Sequence, residues 1–281
     1  MANCVISRVF SQCLHGRKAG FKEIDDGQHG FGSGGAGTVG RRGDAGVRGG
    51  GLAGARAAAR GGGGAPGGAA IDLAAALGAH LLFPGNVYNF GAAMPPVLAP
   101  DTPQRPSTAK GRVRVDLEQQ LAQGARQHGF PATVIRAGDF FGGGRGSWLD
   151  QVIVKKLPQG RVTWPGALDA PHAWAYLPDL ARAFVDVAEA GGVPGGCETL
   201  HFAGHTVTGR DWLAALTDVA WEQGWLPREG ALRTGRLPWG LMRLASPFVP
   251  IVASLLEMRY PWDVPHALDG AALARRAGGQ P

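Results

Sequence analysis

Cysteine is scarce in this chain. Cys4, Cys13 and Cys197 are the only three in 281 residues and form no CxxC pair. That spacing argues against a disulfide framework or a zinc knuckle and points to a reducing compartment. Residues 1–10 lack the continuous apolar core of a secretory signal, so the cytoplasm is the expected location. The body also lacks a charge bias. Residues 71–281 hold nineteen Lys and Arg against eighteen Asp and Glu, whereas residues 1–70 hold nine against four. Basicity therefore belongs to the head, and the body has no nucleic-acid-like patch. An uninterrupted membrane span is missing too: residues 237–256 are largely apolar but are broken by Arg243, Pro247 and Pro250. They read as a broken, buried pair of cap helices, so no membrane partner is expected.

Glycine is plentiful, but in one place. Residues 27–68 carry 19 of the 47 glycines, interleaved with Ala and Arg. No apolar period of 2 or 3.6 survives there, so no burial offsets the cost of ordering the backbone. Residues 1–69 are expected to be disordered or non-native, and residues 71–281 to form the folded domain. The segment 34–40, Gly-Gly-Ala-Gly-Thr-Val-Gly, matches GxxGxxG. No strand precedes it, and Gly43, Gly46 and Gly49 oppose a helix after it, so a phosphate-cradling turn is not expected.

Pattern begins near Ile71. Ile71, Leu73, Ala74 and Leu77 share a helical face ended by Gly78, and residues 79–83 read as a buried strand. Ser107 or Thr108 can cap a helix with Val113, Leu117 and Leu121 facing the core. Residues 133–136 read as a strand. Pro178 and Asp179 open a helix with Leu180, Ala183, Phe184 and Val187 inward, closed by Gly191. A short strand over 198–203 and a helix starting at Gly209, with Trp212, Leu216 and Val219, follow. Strand, loop, helix, strand, loop is the order of a parallel α/β sheet, whose ligands sit beyond the carboxyl ends of the strands.

Several motifs fit that order. Asn86-Val87-Tyr88 follows the first strand, and Asp101-Thr102-Pro103 with Pro106 precedes the helix. Arg136-Ala137-Gly138-Asp139-Phe140-Phe141-Gly142 follows the second strand. Ala175-Tyr176-Leu177-Pro178-Asp179-Leu180-Ala181 and His201-Phe202-Ala203-Gly204 come later. As an ordered set, over about residues 71–275, they resemble the extended short-chain dehydrogenase/reductase superfamily, the NAD-dependent epimerase/dehydratase group. The resemblance implies an α/β fold: an incomplete Rossmann-like parallel sheet with a smaller C-terminal substrate-side α/β lobe. It also implies NAD or NADP as cofactor and a sugar-nucleotide or small carbonyl substrate, with the four strands preceding this stretch missing. One account of the abrupt change in pattern is a wrong frame or start replacing the cofactor half. Translation of the upstream DNA in all frames would test it.

The family's Ser/Thr, Tyr and Lys triad is replaced here. By resemblance Pro84 stands at the Ser position, Lys110 at the Tyr position and Arg114 at the Lys position. Lys110, Arg114 and Glu118 share a stripe at i, i+4, i+8. Three readings stay open: an exposed salt-bridged face, ligand contact through a phosphate or ribose, or proton transfer by a desolvated Lys110. Candidate catalytic residues are thus Lys110 and Arg114. Candidate cofactor-binding residues are Asn86, Val87, Tyr88, Lys110, Arg136 and Asp139. Arg136 can equally reach a phosphate or pair with Glu118. Phe140, His172, Trp174 and Tyr176, near Trp164, are substrate-side candidates suited to stacking on a sugar or nucleobase ring, or else part of a buried aromatic loop. His172, His201 and His205 lack ligand-like spacing, so no metal is expected. The expected function is an NAD(P)-binding oxidoreductase or epimerase-like protein, impaired in this form. The alternative is a non-catalytic nucleotide- or ligand-sensing protein of the same fold. An RNA-binding RGG-like tail is a third reading, with only Phe31 to stack in its glycine-rich part.

Overall fold

The computed structural model describes residues 37–38, 66–143 and 146–277. Residues 66–69 fall inside the stretch expected to lack structure. They already belong to helix α1, Pro66–Leu77, which ends as expected at Gly78, φ 57°. The rest of that stretch lies outside the described residues, apart from strand β1, Gly37–Thr38, which runs antiparallel on the edge of β2.

Strands β2 (Leu81–Gly85), β4 (Ala132–Arg136) and β8 (Cys197–His201) form the main parallel sheet, in the order β1-β2-β4-β8. All five residues of β4 are buried, as a central parallel strand covered on both faces requires. Helix α2 (Ala109–His128) crosses between β2 and β4. Thr108 caps it by accepting from the Gly111 amide, and Gly129, at φ 76°, ends it. Its inward face differs from the expected one. Gly111, Glu118, Leu121, Gly124 and Ala125 are buried, while Val113 is 55% exposed. Two glycines let this face come close to its neighbours, and a buried carboxylate takes a place where an apolar residue was expected.

Helix α3 (Leu177–Ala190) buries Leu180, Ala183 and Val187 against this sheet, as the pattern indicated. Helix α4 (Gly209–Glu222) buries Trp212, Leu216 and Val219 in a second core with Phe141, Trp164, Trp174 and Trp262. That core belongs to the second lobe. There β5 (Asp139–Phe141) and β9 (His205–Val207) flank β7 (His172–Tyr176), and β6 (Arg161–Trp164) pairs in parallel with β10 (Arg233–Arg236). A short parallel pair, β3 (Val97–Leu98) with β11 (Ala267–Leu268), completes the strands. The C-terminal helices are α5 (Trp239–Ala245), α6 (Pro250–Leu256) and α7 (Ala271–Arg276). The break between α5 and α6 is as expected, but the expected burial is not found: no residue of α5 is buried, and Phe248 between them is 85% exposed.

At the start of α4, Thr208 and Asp211 form a reciprocal capping box. Thr208→Ala should lower stability by about 1 kcal/mol, and Thr208→Ser should recover most of it, as read by urea denaturation.

Candidate functional site at the sheet's carboxyl edge

Gly85, Arg136 and His201 end the three parallel strands in register, side by side. The side chain of Arg136 needs the glycine next to it, because a Cβ at Gly85 would lie 2.7 Å from the Arg136 Cγ. Arg136 is buried and turned toward α2. Its Nη2 donates to Glu118 Oε2 at 2.7 Å and its Nε to Glu118 Oε1 at 3.2 Å. Its Nη1 donates to the Pro100 carbonyl at 3.4 Å and faces His201 Nε2 at 3.3 Å. Of the two roles open to Arg136, the pair with Glu118 is the one formed in this structure.

His201 fits this arrangement as a neutral ring. Nδ1 donates to the Leu98 carbonyl at 2.9 Å, leaving a lone pair on Nε2 for the guanidinium. Burial first, and Arg136 as well, push its pKa down to about 4. The chain of polar groups continues outward: Gln104 Nε2 donates to Glu118 at 3.4 Å, and Asn89 Nδ2 donates to Gln104 at 3.1 Å. Asn89 Oδ1 is buried with no hydrogen-bond partner among the described residues. Sequence reasoning missed Asn89 and Gln104. Nothing local marks them, because their partners lie at least 14 residues away.

Around this ladder the candidate residues separate into groups. Asn86 Oδ1 accepts the Tyr88 amide in an Asx turn, Val87 is buried, and Tyr88 is partly covered. Burial, with Asp139 nearby, holds the Tyr88 phenol well above its ordinary pKa. Lys110 and Arg114 reach different elements. Lys110 Nζ donates to the Ser254 carbonyl on α6 at 3.0 Å, and its amide donates to Glu257. Arg114 Nη1 lies 3.5 Å from the Pro84 carbonyl, and its guanidinium sits over the Phe83 ring. Burial lowers the pKa of both cations, opposed at Lys110 by Glu257.

The substrate-side candidates lie in the second lobe. Asp139 Oδ2 and His172 Nε2 are 2.8 Å apart, while His172 Nδ1 donates to the Pro261 carbonyl at 3.1 Å. His172 stacks on Trp262, with ring centroids 4.4 Å apart, and meets His266 edge-on. Trp174 is buried among Phe141, Trp212 and Trp262, within the lobe core. Tyr176 packs on Phe141 and is half-buried, as is Phe140. Gly138 allows the β4–β5 turn to pass the backbone of Ala173, where any Cβ would collide with the carbonyl. His172 and Trp174 are buried, but on strand β7 rather than in a loop. Tyr176 and Phe140 keep some exposure. Among the described residues, no group of three or more His, Cys, Asp or Glu is placed to hold a metal ion.

No protein-family model matches the chain. No curated protein matches it in sequence. Solved structures do match in fold. DesIV, a dTDP-glucose 4,6-dehydratase from Streptomyces venezuelae with NAD and TYD bound, is 17% identical with a TM-score of 0.56, over 77% of this chain and 59% of that one. A UDP-glucuronic acid 4-epimerase from Bacillus cereus, in complex with UDP-glucuronic acid and NAD, is 12% identical with a TM-score of 0.56, over 76% and 61%. MoeE5 in complex with UDP-glucose and NAD is 13% identical with a TM-score of 0.55, over 76% and 63%. The chain therefore shares the Rossmann-like fold of NAD-dependent epimerase and dehydratase structures, and the resemblance drawn from its motifs holds at that level. It spans about three fifths of the length of these structures.

Proposed function

We propose that the chain is an NAD(P)-binding protein of the epimerase/dehydratase kind, which acts on a sugar-nucleotide or small carbonyl substrate and is impaired in this form. The supporting observation is the in-register parallel edge of β2, β4 and β8. The segments that follow β2 and β4, residues 86–88 and the 137–138 turn into β5, occupy the position where open α/β sheets take ligands. The residues present fit part of a dinucleotide. Partly buried Lys110 and Arg114 beside the Asn86 turn suit a phosphate or ribose. The only described part of the glycine motif, Gly37–Thr38, is strand rather than a loop opening a helix. NAD, when bound, supplies the hydride chemistry. This chain's contribution is to position groups at the sheet edge.

A second reading, a non-catalytic nucleotide- or ligand-sensing protein, is favoured by Lys110 and Arg114. In the places of the Tyr and Lys, their side chains hold the Ser254 and Pro84 carbonyls. Among the described residues, neither side chain is hydrogen-bonded to a second titrating group that would relay a proton.

NADH titration by fluorescence should give a Kd weaker than micromolar, because among the described residues no glycine turn opens a helix to meet the pyrophosphate. Micromolar or tighter binding would overturn that expectation. Turnover of a keto or sugar-nucleotide substrate then separates the enzyme from the sensor. If the two cations grip the ligand, Lys110→Met and Arg114→Met should each weaken it by about 1–3 kcal/mol, the range for a lost charge-assisted hydrogen bond. Unchanged affinity with a shifted melting temperature would make both residues structural.

A further inference from the structure

We propose that the α5–α6 corner is a docking surface for an anionic lipid bilayer, which the chain meets peripherally. The hydropathy of residues 237–256 excluded a membrane span, and no helix among the described residues is long and apolar enough to cross one. Exposure of single residues is a separate matter. Leu241, Leu244 and Phe248 are 67%, 74% and 85% exposed, the three most exposed large apolar residues in the second lobe. Leu241 and Leu244, three residues apart, share one side of α5, and Phe248 stands in the turn that follows it. Side chains this apolar, gathered and unburied, mark an interaction surface rather than a core.

Charge complementarity identifies the occupant. Between residues 228 and 249 the chain has four arginines, Arg228, Arg233, Arg236 and Arg243, and a single acid, Glu229. All four arginines are exposed, two of them on the edge strand β10 that leads into α5. The corner is held rigidly from behind. Trp239 Nε1 donates to the Pro165 carbonyl at 2.5 Å, and Arg259 sits over the Trp239 ring at 5.7 Å. Exposed apolar side chains in a stretch that carries four arginines and one acid suit acyl chains below acidic headgroups. A second copy of the chain fits less well, because a two-fold contact through this face would set arginine against arginine.

The test is flotation of the full chain with phosphatidylcholine vesicles, with and without phosphatidylglycerol. Binding is expected only with the anionic lipid and should weaken steeply as salt is raised. Leu244→Asp with Phe248→Asp should weaken it by roughly tenfold or more, because the wedges are lost. Arg233→Glu with Arg236→Glu should weaken it at least about fivefold per residue. The basic residues of the head are untouched in both variants, so undiminished binding would place the lipid contact there and overturn the proposal. No binding by the parent chain would do the same. So would a parent that light scattering shows to be a dimer without lipid, reverting to a monomer in the aspartate variant. Matching circular dichroism spectra would show that the exposed substitutions leave the fold intact.

Discussion

Glu118→Leu is expected to destabilise the protein by about 3–5 kcal/mol, the range for removing one partner of a buried ion pair. The cost does not come from losing a favourable contact alone. Arg136 is 2% exposed, so without Glu118 its charge would remain in the core, met among the described residues by the Pro100 carbonyl, the His201 ring and the face of Phe90 but by no opposite charge. The double change, Glu118→Leu with Arg136→Met, removes both charges and should come close to neutral. Urea denaturation of the four proteins in the cycle isolates the pair energy. Should Arg136 hold a ligand phosphate instead, Glu118→Leu would leave stability nearly unchanged and alter NADH affinity. The same cycle therefore distinguishes a structural Arg136 from a binding one.

What the sequence made legible follows from range. Apolar alternation and runs are local, and the three main parallel strands were placed to within two residues at nearly every end. Thr108 and Gly191 sit at helix ends where capping chemistry marks them. The inward face of α2 was misjudged at Val113 because a regular apolar spacing was weighed above the small residues Gly111 and Gly124, which decide how closely a helix can approach. Burial of the 237–256 segment was overestimated for a related reason. Its hydropathy matches a core helix, and only the tertiary structure shows that Leu244 and Phe248 stay mostly exposed. Long-range polar pairs were the least legible. Glu118 with Arg136 was one of two alternatives, while Asp139 with His172 went unnoticed although both residues were singled out for other roles.

Acid should unfold this protein over an unusually high pH range, because two histidines are buried as neutral rings. His201 and His266 both have their pKa values pushed down from 6.5 to about 4, chiefly by burial. Around His201 stand Arg136, which opposes protonation, and Asp101 and Asp269, which favour it. Around His266, His172 opposes and Asp139 favours. Hydrogen bonding fixes each tautomer: Nδ1 of His201 donates to Leu98 and Nδ1 of His266 to Val264, so a second proton would go to Nε2. In His201 that nitrogen faces a guanidinium, and in His266 it has no partner among the described residues. In the unfolded chain both rings regain an ordinary pKa. Between pH 6.5 and about 4 the unfolded state therefore binds more protons than the folded one, so stability falls as pH falls through that window. Above it neither state is protonated and the histidines leave stability flat. A depression of this size corresponds to about 3 kcal/mol for each ring, a large share of a typical domain's total stability. Urea denaturation at half-unit pH steps should show a steep decline, about 2–3 kcal/mol per pH unit in mid-window if both rings respond. His201→Gln should halve the slope while weakening the protein at neutral pH through the altered contact with Arg136. A parent stability that stays level from pH 7 to pH 4.5 would mean that these rings are not held neutral in the folded state.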